Sequence, residues 1–117
     1  MAIEGTTVFR TPTASDPVLD EVVRRLVAAY RPDRIYLFGS VARGDAGPDS
    51  DYDLMVVVPD EAPREMQDCD LAYRALRGLG IAKDVLVWTR SAFEERLPLK
   101  ASLPSTILRE GKLLHAA

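Results

Sequence analysis

The sequence is short of cysteine, histidine and net positive charge. Its one cysteine, Cys69, excludes an internal disulfide, and we therefore expect a reducing, cytoplasmic location. No apolar run approaches the ~20 residues of a membrane-spanning helix, and the N-terminus lacks the basic and apolar stretches of a secretory signal. Lysine and arginine number 15 against 18 acidic residues. This balance excludes a basic field that would draw the whole chain to nucleic acid or to an anionic membrane.

Apolar residues make up 47% of the 117 positions, which is enough for the core of one globular domain. Residues 1–15 are polar and rich in threonine, and we expect a loose N-terminal arm or an edge segment there. Residues 16–117 would then form a single domain. A P-loop is excluded, because no Gly-Lys-Ser or Gly-Lys-Thr triplet occurs.

Hydrophobic periodicity predicts helices that alternate with three strands. A first helix at 16–30 has Asp16 as N-cap and Pro17 as its first residue. The other predicted elements are a strand at 34–38, a helical turn at 40–44, strands at 51–58 and 81–88, a helix at 64–79, a short helix opened by a capping box at 91–94, and a last short helix ending near Gly111. The expected fold class is α/β (α+β), a small mixed sheet flanked by helices.

Asp51 and Asp53 stand just before a run of apolar strand residues, although aspartate is poorly suited to strands. Alternate strand residues share a face, so both carboxylates point the same way. A tight turn at Gly47-Pro48 predicts that the first two strands are antiparallel, and the helical crossover predicts that the third is parallel to the second. Asp84, on the third strand, is therefore expected near Asp51 and Asp53.

Three carboxylates at one sheet edge would repel one another, and their pKa values would rise unless a cation neutralised them. Mg²⁺ prefers oxygen ligands and often shares its coordination shell between carboxylates and substrate phosphates. Gly39 and Ser40 end the opposite strand, where glycine lets a phosphate approach the backbone and the turn offers a hydroxyl and N–H donors. The pattern predicts a metal site beside a phosphate site.

The spacing of these residues resembles a known signature. Gly39-Ser40, ten intervening residues, Asp51-x-Asp53 and a later strand aspartate resemble the DNA polymerase β-type nucleotidyltransferase superfamily, above all its minimal nucleotidyltransferase (MNT) branch. The segments GSVARG, SDYDLMVVV, DVLVWT and ILREGKLLH occur in the expected order, and the likeness covers about residues 18–115. The resemblance implies a fold like the polymerase β palm.

The resemblance also implies roles for individual residues. Gly39 and Ser40 would bind the triphosphate of ATP, the substrate. Asp51 and Asp53 would each bind both of two Mg²⁺ ions that are present with the nucleotide. Asp84 would bind the catalytic ion and help to activate the attacking hydroxyl. A simple charge at the start of a strand is the alternative interpretation of Asp84.

Val41 departs from the pattern, since many relatives carry a basic or larger residue there. Arg43 would then contribute more to phosphate binding. The alternative for Arg43 is a surface salt bridge with Asp45 or Asp49.

The chain lacks the long helical domain with which larger relatives hold their acceptor. In the MNT branch the acceptor is often a HEPN-domain toxin, and the MNT protein acts as antitoxin by transferring AMP to a tyrosine of that toxin. The resemblance therefore implies a hetero-oligomer with such a partner. Two alternatives remain open: an inactive antitoxin that merely covers its partner, and an enzyme that modifies a small hydroxyl compound.

Several other residues have plainer interpretations. Cys69 is expected to be a small buried hydrophobe, and His115, without histidine or cysteine companions, is a poor metal ligand. The apolar tail could either contact the partner or cover the sheet. Its members are Leu103, Ile107, Leu108, Leu113 and Leu114.

Overall fold

The computed structural model describes residues 16–44 and 51–117. The arm expected at 1–15 and the turn expected at Gly47-Pro48 lie outside the described residues. In chain order the elements are α1 (Pro17–Tyr30), β1 (Arg34–Phe38), α2 (Gly39–Arg43), β2 (Tyr52–Val58), a 3₁₀ helix (Arg64–Gln67), α3 (Asp70–Ala75), β3 (Lys83–Thr89), α4 (Arg90–Glu95), α5 (Leu103–Glu110) and β4 (Lys112–Ala116).

The four strands form one mixed sheet in the order β3-β2-β1-β4. β1 is antiparallel to β2, and β2 is parallel to β3, as the connection lengths predict. β4 adds to the other side of β1 in an antiparallel pairing. The predicted fold class and the relative directions of the first three strands are confirmed.

Both faces of the sheet are covered by helices, because strand residues of both parities are apolar. On one face Ile35, Leu54 and Val56 pack with the buried residues of α1 and α3. On the other face Met55 packs with Phe93 of α4 and Ile107 of α5. By strand alternation Asp53 lies on this second face. It is near the start of β2, where the strand residues are only half-buried. None of the helices in the described ranges has the length and apolar character needed to cross a membrane.

The single helix predicted at 64–79 is wrong, because the chain breaks at Asp68. The Asp68 backbone is extended, with φ −132° and ψ 155°. Its side chain accepts a hydrogen bond from the Asp70 N–H at 2.7 Å, a local bond that competes with helix continuation. The Tyr30 hydroxyl donates to the Asp68 carbonyl at 2.6 Å, so tertiary contact also holds the break in place.

The capping box predicted at 91–94 is also corrected. α4 begins two residues earlier than a helix capped by Ser91 would, and its N-cap is Thr89, whose hydroxyl accepts from the Ala92 N–H at 3.3 Å. The Ser91 N–H donates instead to Asp60 at 2.9 Å. Asp60 thus ties the loop after β2 to the start of α4.

The tail covers the sheet and is not a free contact surface. Ile107 and Leu114 are buried, and Leu103 and Leu113 pack against the core cluster of the second face. Leu108 is the exception, at 50% exposure. α5 ends at Gly111 as predicted, but β4 was not predicted, and its pairing with β1 places Leu113 and Leu114 against the core.

Candidate functional site

The strand register brings the predicted carboxylates to one edge of the sheet. Asp53 is the cross-strand partner of Phe38 on β1 and of Asp84 on β3. Asp51 directly precedes β2, and Gly39 directly follows β1. Residues of β2 and β3, which are far apart in sequence, therefore lie side by side where the Gly39-Ser40 turn begins, as the topology predicts.

The three carboxylates influence one another electrostatically. The pKa of Asp53 is raised, first by burial of its carboxyl group and then by the negative charges of Asp84 and Asp51. The charge of Arg43 acts in the opposite direction and lowers it. Asp51 and Asp84 are exposed, whereas Asp53 is half-buried. The deepest carboxylate is thus the one that most needs a compensating cation.

Gly39 lies directly against the Asp53 carboxylate. Its φ is +76°, a left-handed conformation that residues with a side chain rarely adopt. A Cβ atom at this position would overlap Asp53 Oδ2 and lie 3.1 Å from Asp53 Cγ. Glycine was expected here for the approach of a phosphate. The structure adds a second reason, which is that only glycine leaves room for the carboxylate.

Ser40 and Arg43 lie on the short helix α2, which begins at that glycine. Ser40 is half-buried, and its carbonyl accepts from the Gly44 N–H at 3.1 Å, which closes the turn. Arg43 Nη1 lies 3.9 Å from Glu110 Oε1 at the end of α5. The alternative partners Asp45 and Asp49 are outside the described residues. Arg43 therefore lies near an acidic residue of α5 and near the carboxylates at the sheet edge.

The donors at this edge fit a divalent hard cation. All three are carboxylates, and they lie in a region of excess negative charge where the pKa of Asp53 is already raised. Asp51, Asp53 and Asp84 could hold Mg²⁺, while the N–H groups of the α2 turn, the Ser40 hydroxyl and Arg43 could bind phosphate.

A tighter group of potential ligands lies elsewhere, at Asp68, Cys69 and Asp70, whose ligand atoms are within 4.8 Å of one another. These residues are adjacent in sequence, and Asp68 is occupied in capping the N–H of Asp70. Cys69, expected to be buried, is half-buried at the N-cap of α3. This group is explained by the start of a helix.

Two contacts near the edge were not predicted from the sequence. Glu110 approaches Arg43, and Asp16 accepts a hydrogen bond from the Tyr52 hydroxyl at 3.2 Å. Burial and then the Asp16 carboxylate raise the pKa of Tyr52. The placement of a tyrosine between two site aspartates is the one signal in the sequence that could have suggested this contact.

Comparison with known proteins is consistent with this geometry. Residues 19–114 match the family model described as a nucleotidyltransferase domain. A Methanocaldococcus jannaschii protein named "Putative protein adenylyltransferase" is 28% identical over 102 residues, which cover 86% of this chain and 97% of that protein.

Two solved structures share the fold. One is "a putative nucleotidyltransferase from Sulfolobus solfataricus", with a TM-score of 0.57 and 22% identity over 85% of this chain and 78% of that one. The other, "the toxin-antitoxin with AMP-PNP", has a TM-score of 0.57 and 24% identity over 84% of this chain and 73% of that one. At such identities the likeness shows the fold alone.

Proposed function

Because this chain belongs to the nucleotidyltransferase domain family, and is therefore a nucleotidyltransferase, we propose that it transfers AMP from ATP to a protein hydroxyl. The acceptor is a tyrosine of a HEPN-domain toxin, and the transfer makes the chain an antitoxin. The name of the archaeal relative supports the reaction, and the toxin–antitoxin neighbour that contains AMP-PNP supports the nucleotide and the kind of partner.

One observation carries the proposal: Asp53 pairs in register with Asp84 and lies against Gly39 at the same sheet edge. This arrangement concentrates negative charge beside a turn with N–H donors, which matches a substrate of phosphates and divalent cation. The edge is also accessible, since Asp51 and Asp84 are exposed. A hydroxyl on the surface of another protein can reach it.

The proposed step is an in-line displacement at the α-phosphorus of ATP. The acceptor oxygen forms a bond to the α-phosphorus, the bond from that phosphorus to the bridging oxygen breaks, and pyrophosphate leaves. Asp84, the exposed carboxylate of β3, accepts the proton of the acceptor hydroxyl. The backbone of the Gly39-Ser40 turn and the Ser40 hydroxyl orient the triphosphate, and Arg43 adds positive charge on the side of α5.

Asp51, Asp53 and Asp84 would hold Mg²⁺ for this reaction, with two ions when ATP is bound. Bound Mg²⁺ supplies charge neutralisation for the carboxylates and phosphates and favours ionisation of the acceptor hydroxyl. The protein contributes the fixed positions of the carboxylates, because two of them lie on paired strands of the same sheet.

The proposal can be tested by incubating the purified chain with α-labelled ATP and Mg²⁺, with and without the protein that the adjacent gene encodes. We expect intact mass analysis to show one or more AMP groups on the partner. Replacing Asp51 and Asp53 together with Asn should abolish the modification. The matched control replaces Asp68 and Asp70 with Asn, since this pair removes the same charge at an exposed helix start.

A partner that binds tightly and stays unmodified would refute AMP transfer and favour the covering antitoxin. If the masses of all protein components stay unchanged and an added hydroxyl compound is labelled, the result would instead favour a small-molecule enzyme. Ligand binding gives an independent readout: Mg²⁺ with ATP should raise the melting temperature of the wild-type chain and of the Asp68/Asp70 control, but not that of the Asp51/Asp53 variant.

A further inference from the structure

Tyr52 separates the two aspartates at the start of β2, and its side chain lies on the opposite face of the sheet from theirs. Its hydroxyl donates to Asp16 Oδ2 at 3.2 Å. The other oxygen of the same carboxylate, Oδ1, accepts from the Leu19 N–H at 3.0 Å and caps α1. One carboxylate therefore joins the start of a helix to the strand residue between the two proposed metal ligands.

Asp16 has a fixed position, because α1 packs against the sheet. Leu19, Val22 and Leu26 of this helix are at most 2% exposed and pack in the core beneath β1 and β2. The hydrogen bond to Asp16 thus connects the start of β2 to a packed helix.

Adjacent strand residues point to opposite faces, so a rotation of the strand about its own axis moves their side chains together. At its start, β2 is held on the backbone by the Tyr52 N–H, which donates to the Ala82 carbonyl at 3.0 Å. At Tyr52 the backbone is paired with β3 alone, because the pairing of β2 with β1 begins at Asp53, so a side-chain anchor on one face adds resistance to rotation there. Fixing Tyr52 therefore fixes the direction of Asp51 and Asp53 on the other face.

We propose that Tyr52 and Asp16 are positioning residues for AMP transfer, acting through Asp51 and Asp53. This inference rests on the proposed function and adds two residues that touch neither metal nor nucleotide. They act by keeping both carboxylates oriented toward the Gly39-Ser40 turn.

The test compares variants that separate the anchor from the helix cap. Tyr52→Phe removes the hydroxyl and leaves the cap intact. Asp16→Ser keeps an N-cap residue but is too short to reach Tyr52. Asp16→Asn keeps an oxygen for the cap and an amide that can bond the tyrosine. Tyr30→Phe is the matched control, since it deletes a tyrosine hydroxyl whose 2.6 Å bond to the Asp68 carbonyl lies in another part of the fold.

We expect Tyr52→Phe and Asp16→Ser each to lower kcat for transfer by about twofold to about tenfold, the range that corresponds to one net hydrogen bond. The KM for ATP should change little, because the Gly39-Ser40 turn still holds the phosphates. The double variant should be no slower than either single one, and Asp16→Asn should recover most of the wild-type rate. Tyr30→Phe should lower the melting temperature without changing kcat.

A second readout needs no partner protein. The rise in melting temperature on addition of Mg²⁺ alone, taken relative to the metal-free form of each variant, should be smaller for Tyr52→Phe and Asp16→Ser than for wild type or Tyr30→Phe, because the misdirected carboxylates bind the ion less tightly. If Tyr52→Phe keeps the wild-type kcat and the wild-type ligand shift, the inference is overturned. If wild type shows the ligand shift but transfers no AMP, the proposed function fails, and the shift alone then decides whether the anchor orients the carboxylates.

Discussion

Replacement of Gly39 by alanine tests how the site is built. Two effects combine at this position: φ is +76°, and an added Cβ would overlap Asp53 Oδ2. The backbone strain alone costs about 1–2 kcal/mol for a residue with a side chain. In a domain of about 100 residues each kcal/mol lowers the melting temperature by roughly 4–8 °C.

The steric overlap should lower activity as well as stability. The Asp53 carboxylate must move away from the new methyl group, or the turn must move away from the carboxylate, and either change displaces a proposed metal ligand relative to the proposed phosphate site. A displacement of about 1 Å in a catalytic site can cost about 100-fold in rate. We therefore expect Gly39→Ala to lower the rate of AMP transfer by about that factor and to remove the stabilisation by Mg²⁺ and ATP.

The chain offers two controls for the strain itself. Gly44 and Gly78 have φ values of +83° and +89°, and a Cβ at either position would meet no atom within 4 Å. Gly44→Ala and Gly78→Ala should therefore lose a similar amount of stability in urea unfolding and keep most of their transfer activity. If Gly39→Ala is as active as these two variants, the close approach of Asp53 to the turn has no functional role and the reasoning is refuted.

Three further predictions concern single groups. Burial, Asp84 and Asp51 raise the pKa of Asp53. The metal-free protein should therefore lose stability as pH rises from the ordinary aspartate pKa through this raised value. In urea titrations across that range, the Asp53→Asn variant should not show this loss of stability. Steady-state kinetics should separate Asp84→Asn, which lowers kcat, from Ser40→Ala, which raises the KM for ATP; equal effects on both constants would contradict the assigned roles. Hydrogen bonds from the hydroxyl and the N–H of Ser91 lower the pKa of Asp60, so stability should fall as pH drops from the ordinary aspartate value through the lowered one. Ser91→Ala removes the hydroxyl bond and should partly flatten this part of the stability curve; a curve identical to that of wild type would contradict the contact.

The sequence by itself determined the features that depend on close spacing along the chain. The two-residue period of a strand places Asp51 and Asp53 on one face, and the Asp16-Pro17 pair marks the start of α1, which begins at Pro17. Connection length predicted strand direction, and strand direction predicted that Asp84 lies beside Asp53. These inferences succeeded because each needs only local geometry and one rule about crossovers.

Tertiary structure decided what depends on contacts between distant segments. The break at Asp68 is held by the hydroxyl of Tyr30, and the tail becomes β4 because β1 has a free edge to pair with. The local sequence around Asp68 is compatible with a longer helix, and that of the tail is compatible with an irregular segment. In each case the contact with a distant segment decides which conformation forms.

The same reason explains what was missed at the site. The contact of Glu110 with Arg43, and that of Asp16 with Tyr52, join elements that the chain visits far apart. Their side chains have no periodicity in common, and short spacing rules cannot relate them. The sequence thus determined which residues carry the proposed chemistry, whereas the packing of α1 and α5 against the sheet decided which residues hold them in place.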